Sequence, residues 1–118
     1  MITFDFSGKR YLVTGASSGI GKATAIECSK MGAKTIITGR NEERLNETLR
    51  QLEGEGHLAI VADITDEVSL NTLVERCPVV DGLVNNAGGT IMLPTQFITR
   101  EKLQYVLNLN TIDRKSVV

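Results

Sequence analysis

Three glycines stand at 15, 19 and 21 in the run Thr14-Gly15-Ala16-Ser17-Ser18-Gly19-Ile20-Gly21. Between a strand and a helix, such glycines allow a tight turn and a close approach to a pyrophosphate. The first N–H groups of the helix then meet its charge. Ser17, Ser18 and Ile20 would line the same turn. The spacing is G-x-x-x-G-x-G rather than G-x-G-x-x-G. A nucleotide-hydrolase loop is only a near miss, because Gly21-Lys22 is followed by Ala23 and the upstream glycine is replaced by Ala16. Gly39 lies 18 residues after Gly21, where a carboxylate would hydrogen-bond a ribose 2′-hydroxyl. No acid is there. Arg40 follows, and a guanidinium suits a 2′-phosphate. Asp63 ends an apolar run. Asn85 and Asn86 directly follow Leu83-Val84, and amides buried at a strand end need hydrogen-bond partners. Asn110 falls at helical spacing from Leu103, Val106 and Leu107, on an apolar stripe.

The elements that must position these residues alternate along the chain. Residues 10–14 read as a buried strand, and 20–31 as a helix stopped by Gly32. Residues 33–38 hold a second strand, β-branched from Thr35 to Thr38. Asn41 caps the next helix, with Glu42 and Glu43 in its first turn and Leu45, Leu49 and Leu52 on one face. Gly54 marks its stop. Residues 57–62 form a third strand. Thr65 is the expected cap of a helix over 66–76, with Leu70, Leu73 and Val74 inward, and Pro78 forbids its continuation. Residues 79–84 read as a fourth strand. A loop with Gly88, Gly89 and Pro94 leads to a last helix starting near residue 99. This alternation predicts an α/β fold, parallel strands joined by right-handed crossovers in an open sheet, in one domain over residues 1–118.

The chain has 118 residues, 42% hydrophobic and 23% charged, the composition of an ordinary globular domain. A net charge of -1 leaves no basic footprint for nucleic acid. Apolar runs are too short to cross a bilayer, and the first nine residues do not read as a secretory signal. Cys28 and Cys77 make neither a metal pattern nor a disulfide framework, and read as small core hydrophobes. His57 stands alone and is expected to be solvated. The expected setting is a reducing cytoplasm.

Taken in order, Thr14 to Gly21, Asp63 in Ala62-Asp63-Ile64-Thr65, Asn85-Asn86-Ala87-Gly88, and Asn110 in Leu107-Asn108-Leu109-Asn110 resemble the landmarks of the short-chain dehydrogenase/reductase family, whose cofactor loop is written T-G-x-x-x-G-x-G. The resemblance spans residues 9 to about 112. With it the chain is read as a doubly wound, Rossmann-like α/β sheet of strand order 3-2-1-4, and the resemblance implies an oxidoreductase transferring hydride between a nicotinamide and an alcohol or carbonyl. With Gly39 and Arg40 as they stand, it implies NADP(H) as cofactor. It places Gly15, Ser17, Ser18, Gly19, Ile20, Gly21 and Arg40 on the cofactor. Asp63 and Ile64 would face the adenine, and Asn86, Ala87 and Gly88 the ribose. Asn110 would belong to a Ser–Tyr–Lys–Asn catalytic set and hold a water in the proton relay.

The family pattern Y-x-x-x-K is not met. Four residues after Tyr11 is Gly15, and four after Tyr105 is Leu109. The chain thus encodes the dinucleotide-binding half of a site and reads as a truncated member. A non-catalytic nucleotide-binding module is the alternative. An alcohol or carbonyl substrate would be used only with the missing half supplied. The fourth strand is expected to have a bare edge, and the last helix an exposed apolar face with Tyr105, Leu109 and Ile112. Either would make the chain self-associate.

Overall fold

In the computed structural model of the chain, residues 5–64, 66–86 and 91–94 are described. The apolar runs form strands β1 (Arg10–Val13), β2 (Lys34–Gly39), β3 (Leu58–Val61), β4 (Gly82–Asn85) and β5 (Ile91–Pro94). The helices are α1 (Gly19–Lys30), α2 (Glu42–Gln51) and α3 (Glu67–Arg76). The sheet runs β3-β2-β1-β4-β5. β1, β2, β3 and β4 are parallel, with Leu12 opposite Ile36 on one side and Leu83 on the other. The expected order 3-2-1-4 is present, and the last helix, with Tyr105 and Asn110, lies outside the described residues.

Side-chain alternation along the strands fills two cores. Leu12, Ile36, Ile60 and Leu83 pack with Leu70, Leu73 and Val74 of α3. Val13, Ile37 and Val84 pack with Ala25 of α1 and with Leu45 and Leu52 beside it. The chirality of crossovers accounts for the division. The chain steps from β1 to β2 to β3 in one direction, so right-handed connections put α1 and α2 on one face. The return from β3 to β4 reverses direction and puts α3 on the other. The reversal point lies between β1 and β4, where an open sheet of this kind leaves a crevice at its carboxyl ends.

Several local expectations are corrected. Asp66 caps α3, its carboxylate accepting from the Ser69 N–H at 3.0 Å. Thr65, the expected cap, lies outside the described residues. β4 begins at Gly82 rather than at residue 79. The Asp81 N–H donates to the Arg10 carbonyl at 2.7 Å, and the Asp81 carboxylate accepts from the Arg10 N–H at 2.9 Å. This pairing starts the ladder, leaving Val79 exposed and its carbonyl bonded to the Arg10 guanidinium. The segment read as a loop around Pro94 contains β5, antiparallel to β4 with Leu83 opposite Leu93. The expected bare edge of β4 is thus covered, its main-chain groups paired within the chain, and association through that edge loses its basis. Pro94 ends an outer strand, where a missing N–H is tolerated.

Both cysteines behave as packing residues. Cys28 is buried in α1, and Cys77 packs on the α3 side of the core. Burial pushes the Cys28 thiol up and that of Cys77 up to about 11, which disfavours the reactive thiolate.

His57 is not simply solvated. Its Nδ1 accepts from the Thr35 N–H at 3.0 Å, and its Nε2 lies 2.6 Å from the Glu53 carbonyl. An acceptor at Nδ1 assigns the proton to Nε2, in a neutral ring that donates to Glu53. The next residue of β2, Ile36, pairs with Leu58, so the imidazole continues the β2–β3 ladder by one step. His57→Ala would strand both backbone groups. The expected loss is about 1 kcal/mol of stability, measured by urea denaturation.

Candidate functional site

The turn after β1 is shaped by its glycines. Gly15 and Gly19 are left-handed, with φ of 62° and 61°, a conformation that costs other residues about 1–2 kcal/mol. Gly21 answers a different need. A Cβ there would meet the Gly15 carbonyl oxygen, and would lie 2.7 Å from the Gly15 carbonyl carbon. Its hydrogen permits α1 to start against the turn.

Ser18 sits at the amino-terminal cap of α1 in extended conformation, but its side chain does not cap the helix. The first turn holds no acidic residue. The positive end of α1 is therefore left unneutralised, as an anion site requires. α2 differs. The Asn41 side chain accepts from the Arg44 N–H at 3.0 Å, and Glu42 and Glu43 occupy the first turn.

A cleft of about 390 Å³ opens beside the turn. The turn contributes Gly15, Ser17 and Ser18. The end of β2 contributes Thr38, Gly39 and Arg40, and the start of α2 adds Asn41 and Arg44. The end of β3 supplies Ala62, Asp63 and Ile64. The site residues Gly15, Ser17, Ser18, Arg40, Asp63 and Ile64 thus come together. Gly19, Ile20 and Gly21 form the adjoining first turn of α1, with Ile20 67% exposed. Asn86 follows β4, its N–H bonded to the Thr14 hydroxyl at 3.0 Å. Ala87, Gly88 and Asn110 lie outside the described residues.

With Asp66 capping α3, Asp63 is not a cap. Its N–H donates to the Ser69 hydroxyl at 2.8 Å, and its carbonyl accepts from Asp66 at 3.0 Å. Its backbone is pinned at the cleft, where it is the one carboxylate among the described lining residues. Arg40 and Arg44 are exposed and bring positive charge to the same cleft.

Four contributors escaped the sequence reading: Thr38, Asn41 as a cleft residue, Arg44 and Thr48. Arg44 lies in the first turn of α2 just after the cap Asn41, close in sequence to Arg40 at the end of β2. Thr48 is fully buried, and its hydroxyl lies 2.9 Å from the Ala16 carbonyl and 3.1 Å from that of Arg44. The Ala16 N–H donates to the Thr38 carbonyl at 3.1 Å. The turn is held from both sides.

Residues 9–113 match the family model for short chain dehydrogenases. The chain belongs to that family. It is 38% identical over 112 residues to a glucose 1-dehydrogenase of Gluconobacter oxydans (strain 621H), covering 89% of this chain and 42% of that relative. A solved short chain dehydrogenase/reductase family protein superposes with a TM-score of 0.69 at 32% identity, covering 93% of this chain and 47% of that one. A variant of actinorhodin polyketide ketoreductase, solved with NADPH, has a TM-score of 0.62 at 36% identity, over 74% of this chain and 35% of that one. The chain thus spans less than half the length of each.

For this family member, Thr48→Val tests the support of the turn. The Ala16 carbonyl would lose its buried hydroxyl partner at nearly constant side-chain volume. Expected is a loss of about 1–3 kcal/mol in denaturant unfolding.

Proposed function

We propose that the chain supplies the adenosine- and phosphate-binding half of an NADP(H) site in an oxidoreductase acting on an alcohol or carbonyl. The carrying observation is the wall at the end of β2. Gly39 is buried and bears no carboxylate, while Arg40 and Arg44 line the same cleft. A 2′-phosphate would have two guanidinium groups to pair with there, and a bare ribose hydroxyl would find no acid at the end of β2.

The other residues suit the rest of the nucleotide. The hydroxyl oxygens of Ser17 and Thr38 are buried with no hydrogen-bond partner among the described residues, and both residues line the cleft. Buried hydroxyls of this kind call for a polar ligand. The amides of the first turn of α1, around Gly19 to Gly21, would hold the pyrophosphate. Asp63 would accept from the adenine amino group while Ile64 packs on the ring. Asn86, with Ala87 and Gly88, would stand toward the nicotinamide ribose. The bound nicotinamide supplies or accepts the hydride. Asn110 would hold a water of the proton relay. The ketoreductase relative solved with NADPH supports the cofactor choice.

Proton transfer itself needs groups beyond these. Tyr11 lies in β1, ring to ring with Phe6 at 5.3 Å, and burial pushes its hydroxyl up, the wrong direction for a proton donor near neutral pH. A second reading, a nucleotide-binding module without turnover, is favoured for this chain acting alone by the lack of Lys four residues after either Tyr.

NADPH should bind more tightly than NADH in a fluorescence titration. Arg40→Ala should remove about ten- to thirtyfold of the preference, the worth of one exposed charge-assisted contact. Equal affinities in the intact chain would refute the 2′-phosphate site. Gly19→Val places a branched residue at φ 61°, so dinucleotide binding should vanish while circular dichroism still reports a folded domain. The chain alone should show no NADPH oxidation with aldehydes or ketones. Oxidation that Asn110→Ala abolishes would overturn that expectation.

A further inference from the structure

Position 39 is glycine for a reason that lies elsewhere in the chain. Gly39 ends β2, and its φ is not in the left-handed region, so the backbone conformation would accept any side chain. Space would not. A Cβ at 39 would run into the Ser17 hydroxyl oxygen, with the Ser17 Cβ at 3.4 Å and the Ser17 nitrogen at 3.5 Å behind it. The Ser17 backbone is held by the turn it belongs to, since the preceding residue, Ala16, is bonded through both its N–H and its carbonyl, and only the Ser17 hydroxyl can turn about its own side-chain bond. The Ser17 oxygen is itself buried.

We propose that Ser17 is a specificity-determining residue of this site: by filling the space in front of Gly39, it bars the carboxylate that would otherwise select a ribose 2′-hydroxyl. Cofactor choice is then written in a pair of residues on two different connections. An acid introduced at 39 alone meets Ser17 before it can reach the ribose. The acid is deflected from the cleft, the turn is displaced from its bonds to Thr38 and Thr48, or the buried Ser17 hydroxyl must leave its place. Ser17→Ala removes the clashing atom and leaves the Ser17 Cβ, at 3.4 Å, in ordinary contact with the new side chain.

The inference rests on the nucleotide reading of the cleft, and its test separates the two. Four proteins are compared as full chains: wild type, Ser17→Ala, Gly39→Asp and the double variant. A parallel pair, Gly39→Ala with and without Ser17→Ala, covers the case in which Gly39→Asp fails to fold. Without ligand, Gly39→Ala should lower the melting temperature by several degrees, and Ser17→Ala should restore most of the loss. With ligand, Gly39→Asp alone should gain no affinity for NADH. The double variant should bind NADH about tenfold more tightly than wild type and lose its preference for NADPH. NADH binding by Gly39→Asp equal to that of the double variant would overturn the proposal, as would a Gly39→Ala melting point that Ser17→Ala does not raise. Wild-type protein that binds neither dinucleotide would refute the site reading and with it the specificity claim. The ligand-free melting points would still report the Ser17–Gly39 clash, so the two failures are told apart.

Discussion

Ala16 is the fixed point of the molecule. Its side chain is small and fully buried, its N–H donates to the last carbonyl region of β2 through Thr38, and its carbonyl accepts from Thr48 of α2. A net hydrogen bond contributes only about 0.5–1.5 kcal/mol, but a buried group left without one costs about 1–3 kcal/mol. Both main-chain groups of one turn residue are thereby tied to two other elements. The left-handed glycines on either side let the chain leave β1, pass through Ala16 and enter α1 within a few residues. The open amino terminus of α1, the position of Ser17 and the shape of the cleft all follow from that anchorage.

The two helix starts at the cleft carry different electrostatic duties. α2 satisfies its own end with Asn41 and neutralises it with Glu42 and Glu43, so its contribution to an anion comes from side chains, Arg44 with the neighbouring Arg40. α1 keeps its end bare and contributes main-chain amides. Main-chain donors are held rigidly by the helix, whereas the guanidinium groups stand on exposed, jointed stems. Asp63, at the end of β3, adds a carboxylate to the same cleft.

Much of this was legible in the residues. Strands and helices announce themselves by period, and the cores formed by Leu12, Ile36 and Leu83 and by Val13, Ile37 and Val84 are the two phases of one alternation. The glycine turn was legible because left-handed backbone and close approach admit few residue types. Asn41 was legible as a cap because capping is a contact over three positions. Errors came where two similar groups compete locally, as Thr65 and Asp66 do for the start of α3, and where a short apolar stretch such as 91–94 is flanked by turn-forming residues.

The amino-acid pattern by itself determined the alternating elements and the glycine turn, because each depends on neighbours within a few positions, and right-handed crossovers then assign each helix to its face of the sheet. Tertiary structure alone decided what stands opposite what. Thr48 reaches Ala16 across 32 residues, His57 completes β2 from 22 residues away, and β5 folds back on β4. Ser17 closes on Gly39 in the same manner. Such pairings leave no periodic mark, since they arise only when the fold brings residues distant in sequence side by side.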